Sequence, residues 1–176
     1  MTKLTNLSPP AKFDLCDDCP AASQPSDTGA QRLVGLGFRF WMLGMVTGEI
    51  HYWQRAWRLY SGMCGTTGGR LALDGLSCWV KCMANASSRP IEVRLSQTDD
   101  FCRDERLAIS VIAACQHQVC PAMRACAFAL VEHSCIDQTV GQAQSFADTL
   151  LGLDLRLSPH AIVAAPIDSA VNSHPH

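Results

Sequence analysis

Cys102, Cys115, His117, Cys120, Cys126 and Cys135 crowd one stretch of this chain, and thiols and imidazole suit a soft metal ion. The candidate ligands are Cys115, His117, Cys120 and Cys126, and the candidate cofactors are zinc, Cu(I) or an iron–sulfur cluster. Pro121 lies among them, and a chain turn there can fold Cys115, His117 and Cys120 together. On one straight helix, Cys115 and Cys126 would instead stand about three turns, roughly 16 Å, apart. The spacing C-x4-C-x5-C-x8-C from Cys115 to Cys135 fits neither a zinc-finger nor a ferredoxin pattern. Burial as small hydrophobes is therefore the favoured reading of these thiols, with no cofactor expected. Metal held by thiolates is the alternative.

Other chemistry is sparser. Cys16 and Cys19 form half of a zinc knuckle, but no second pair or spaced histidines follow, and two intervening aspartates disfavour the thiolate. Cys78 and Cys82 stand one turn apart if helical, a spacing that can share a soft ion or simply admit a neighbouring helix. Asp99, Asp100, Asp104 and Glu105, interleaved with Arg103 and Arg106, read as capping and solvated ion pairing at a helix start. The chain contains no G-x-S-x-G, H-E-x-x-H or helix-opening G-x-G-x-x-G, and SGMCGTTGG lacks the Gly-Lys-Ser/Thr ending of a phosphate loop. No catalytic residue is assigned, and an enzyme is the less favoured class.

The elements that position these residues follow from hydrophobic period and punctuation. Residues 103–133 read as a helical hairpin at the centre of the fold, one helix over 103–118 and another over 121–133. The run LAISVIAAC has a single hydroxyl and no charge, so this helix is expected to be packed on all sides. Asp100 is its expected N-cap, and Pro121 suits the first position of its partner. Over 37–60, Phe38, Trp41, Met42, Met45, Tyr52, Trp53, Ala56 and Tyr60 recur at threes and fours, predicting one helix. Gly44 and Gly48 within it suggest close packing. Residues 61–69 read as a loop, and 70–86 as a helix with Ala72, Leu76, Trp79 and Met83 inward. Residues 91–95 alternate like a strand without a partner, predicting an extended connection. A last helix spans 136–151.

Composition limits the function. A net charge of -2 over 176 residues gives no basic field for nucleic acid. Only 17% of residues are charged and 48% are hydrophobic, so much surface must be buried internally or against a partner. The apolar run 33–48 falls short of the roughly 20 residues that span a bilayer and carries Arg39, so no membrane span is expected. Ten cysteines, with no apolar leader in the first residues, point to the reducing cytoplasm. The sequence thus predicts an all-α single-domain bundle of about five helices over 31–158, with a disordered arm at 1–30 and a loose tail at 159–176. The expected function is a non-enzymatic protein-interaction module, an adaptor, assembly factor or regulator, with a protein partner or a second copy of itself. The alternative is a cysteine-rich metal-binding or metal-delivery protein.

Overall fold

The computed structural model describes residues 29–163 apart from 97 and 99; Cys16, Cys19 and nearly all of the expected arm lie outside the described residues. Five helices follow in order: α1 (Gly29–Thr47), α2 (Ile50–Ala86), α3 (Arg103–Gln116), α4 (Cys120–Val131) and α5 (Asp137–Gly152). A 3-10 turn, Pro159–Ala161, completes an all-α bundle, and no strand forms among the described residues.

The segment expected as one helix over 37–60 divides in two, because Gly48 adopts φ 72° and its N–H returns to the Gly44 carbonyl. That left-handed conformation closes α1 and reverses the chain into α2. Gly48 is therefore a turn glycine, whereas Gly44 has the expected packing role: a Cβ there would stand 2.5 Å from the Trp53 indole nitrogen. The predicted loop at 61–69 is corrected as well. Helix flanks a corner at Gly65, whose φ 71° and ψ 174° suit glycine almost alone. Eight residues of straight helix would separate Ser61 from Gly69 by about 12 Å. Instead, a Cβ on Gly69 would lie 2.9 Å from the Ser61 Cα, so the two halves of α2 fold tightly against each other.

Two helices, not one, are buried on nearly every side. All but two residues of α3 are buried, as its apolar run demands, and α1 is almost as thoroughly enclosed by α2, α3 and the connection before α3. Trp79 lies wholly inside, with Phe38 at 5.8 Å and Phe146 at 6.0 Å between ring centroids, and this stack ties α1, α2 and α5 together. Residues 91–95 form no strand, Val93 making only an isolated bridge and Leu95 entering a bend, and Ile91 and Val93 are fully buried. Packing also continues past the expected boundary at 158. Ser110 Oγ donates to the Ala161 carbonyl at 2.8 Å and accepts the Val163 N–H at 3.2 Å, holding this segment on α3.

Ile112 has no exposed surface and sits mid-way along α3. Ile112→Ala is expected to lower unfolding free energy by about 2–5 kcal/mol in chemical denaturation. A loss under about 0.5 kcal/mol would be that of a surface position and would contradict the central placement of α3.

Candidate functional site

Two members of the acidic cluster at the start of α3 are not solvated: Glu105 and Asp104 are buried and paired with Arg39 and Arg89, whereas Asp100 is exposed. Arg39 reaches Glu105 from α1 through Nε to Oε1 at 2.6 Å and through a terminal nitrogen to Oε2 at 2.9 Å. Its remaining N–H groups donate to the carbonyls of Ser96, Thr98 and Asp100, and Phe101 covers its guanidinium at 5.3 Å. All five guanidinium donors are thereby used. Glu105 is equally saturated, since it also accepts the N–H groups of Arg94 at 3.1 Å and Cys102 at 2.8 Å. Cys102, not Asp100, is the N-cap of α3, because the helix begins at Arg103 and Glu105 reaches back to accept the Cys102 N–H.

A second pair repeats the design one residue earlier. Arg89 makes a two-pronged bond to Asp104 at 2.6 and 2.8 Å, and Asp104 also accepts the Glu92 N–H. Burial works against the Arg89 charge, but the Asp104 bond and the charges of Asp104, Glu132 and Glu92 outweigh it and raise its pKa. Both pairs pin the connection between α2 and α3. They commit Asp104 and Glu105 to holding the fold.

The four candidate ligands at the α3–α4 corner do not converge. His117 caps the end of α3, and its Nε2 donates to the Leu157 carbonyl at 2.9 Å. Cys126 is buried in α4, with its thiol 3.7 Å from the Val163 carbonyl. Both side chains are thus turned to the C-terminal segment, which Gln116 also holds by bonds to Leu155 and Leu157. Cys120 opens α4 and is exposed. Cys115, in the last turn of α3, is buried and meets the Met123 sulfur at 3.2 Å. Burial, with the nearby Asp148 and Cys120 charges, pushes the Cys115 thiol up to about 12, and burial also raises Cys126 and Cys64. Among the described residues no group of three or more His, Cys, Asp or Glu side chains is placed to hold a metal ion.

An open pocket of about 300 Å³ lies elsewhere, lined by Cys82, Asn85, Ala86, His133, Cys135 and Gln138. Its histidine is engaged through Nδ1 by the Cys135 N–H at 3.1 Å, and Cys82 stands 3.8 Å from the Thr139 hydroxyl. Cys78, one turn from Cys82, is exposed.

Compared with protein-family models, curated proteins and solved structures, the chain finds no match. No helix among the described residues is long and apolar enough to cross a membrane. The saturated Arg39–Glu105 pair went unread in the sequence, although one signal was present. A lone arginine in the apolar run LVGLGFRFWMLGM must be paired if that run is buried.

Thiol reactivity should follow this arrangement. In the folded chain, Cys78, Cys120 and Cys135 are expected to alkylate quickly at pH 8, and Cys102, Cys115 and Cys126 slowly. Mass mapping after brief iodoacetamide treatment reads this directly. Cys115 labelling as fast as Cys120 would contradict the closed corner.

Proposed function

We propose that this chain is a non-enzymatic protein-interaction module, an adaptor, assembly factor or regulator that acts in the cytoplasm. Its partner is another protein or a second copy of itself, and not nucleic acid, for which a net charge of -2 provides no attraction. The observation that carries the reading is on the first half of α2. Ile50 is 67% exposed and Trp57 38% exposed, and residues seven apart share one side of a helix. Tryptophan is prominent among residues that anchor protein interfaces. Phe128 on α4 adds another large exposed apolar side chain. The interior polar groups support the same reading, because Arg39, Glu105, Asp104 and Gln116 are committed to holding the fold. A second reading, soft-metal binding, is favoured by the sulfur contact between Cys115 and Met123.

Replacing Ile50 and Trp57 together by aspartate tests the first reading. The wild-type chain is expected to form an assembly, with itself or with a co-purifying protein, that sedimentation velocity detects. The double variant should lose that assembly while keeping its circular dichroism and melting temperature. A wild type that sediments only as a monomer, alone and in native extract, contradicts the reading. So does an assembly that survives both substitutions.

A further inference from the structure

We propose that the sulfur atoms of Cys115, Cys120 and Met123 form a binding site for one Cu(I) ion at the α3–α4 corner. The inference rests on the soft-metal reading and gives it a ligand set different from the one the cysteine spacing suggested. Cys115 ends α3, and its Sγ already meets Met123 Sδ at 3.2 Å. Cys120 and Met123 are three residues apart in α4, so they are neighbours on one side of that helix. Pro121 in the first turn of α4 fixes where this helix begins and therefore where both sulfurs stand.

The chemistry of the set selects the ion. Thiolate and thioether are soft donors, and together they favour Cu(I) over zinc, which prefers thiolate, imidazole and carboxylate. Metal–sulfur bonds of about 2.3 Å set two sulfurs on one ion about 3.7–4.6 Å apart. The observed 3.2 Å therefore has to open by only about 1 Å, and methionine, unbranched and flexible, absorbs such a shift readily. Cys120 is exposed and gives the ion a way in, whereas Cys115 is buried and keeps water from one side. His117 and Cys126 are excluded by their bonds to the Leu157 and Val163 carbonyls. Binding displaces the protons of Cys115 and Cys120 to solvent, with two Cu–thiolate bonds and one Cu–thioether bond formed. No electron is transferred.

The test uses the reduced full chain under anaerobic conditions, with Cu(I) supplied as its bicinchoninate complex. Wild type is expected to withdraw one tightly held Cu(I) per chain, with a first coordination shell of sulfur alone by X-ray absorption. Met123→Leu and Cys120→Ser, both near the surface and verified folded by circular dichroism, should each lose that ion to the chelator. Cys135→Ser should keep it. If wild type withdraws no ion, the soft-metal reading and the site fall together. If the ion is held as firmly by Met123→Leu and Cys120→Ser but lost in Cys135→Ser, metal binding stands and belongs to the Cys82–His133–Cys135 pocket, and the proposed site is overturned.

Discussion

Arg39 and Glu105 meet with no exposed surface on either side chain, and such a pair is stable only when nearly every donor and acceptor is satisfied. Here each of the five guanidinium donors and both carboxylate oxygens finds a partner within 3.1 Å. Removing either partner would leave a buried charge uncompensated, an effect of about 3–5 kcal/mol in comparable pairs. The interaction joins elements far apart in sequence. It fixes α1 against the first turn of α3 and holds the backbone of Arg94, Ser96, Thr98, Asp100 and Cys102 onto both. Arg89 and Asp104 fasten the earlier part of the same connection to α3, and Arg89 also reaches the Ala129 carbonyl in α4.

This anchoring accounts for a chain segment that is irregular yet buried. Backbone groups away from helices and sheets must still be satisfied when removed from water. Side chains of α1 and α3 do that here, which lets Ile91, Val93 and Phe101 pack inward without a sheet. The rest of α3 solves the same problem with a hydroxyl, an amide and an imidazole. Ser110, Gln116 and His117 satisfy the backbone of the C-terminal segment through Val163. α3 is central because its apolar surface is packed on nearly every side and its polar groups hold the segments before and after it.

The helices were legible because their signals are periodic. The inward stripe Ala72, Leu76, Trp79 and Met83 is fully buried, and Pro121 marks the start of α4 as its missing N–H requires. What escaped was set by single residues in unusual backbone conformations or by long-range partners. Gly48 and Gly65 both take positive φ, and nothing local separates a turn glycine from a packing glycine such as Gly44. Asp104 and Glu105 looked solvated because first-turn carboxylates usually are, and their arginines lie 15 and 66 residues away. The cysteine cluster misled by its density. Its members are close in sequence, but the C-terminal segment takes up His117 and Cys126, and a methionine contributes the nearest sulfur.

The central claim is that buried carboxylates lock an irregular connection as firmly as helix. Native-state hydrogen exchange at the amides of Glu92, Arg94 and Cys102 tests it most directly, because each N–H donates to Asp104 or Glu105. The account predicts exchange from these amides only on global unfolding, with protection matching the middle of α3. Exchange at the rate of an exposed loop, while α3 stays protected, would contradict it.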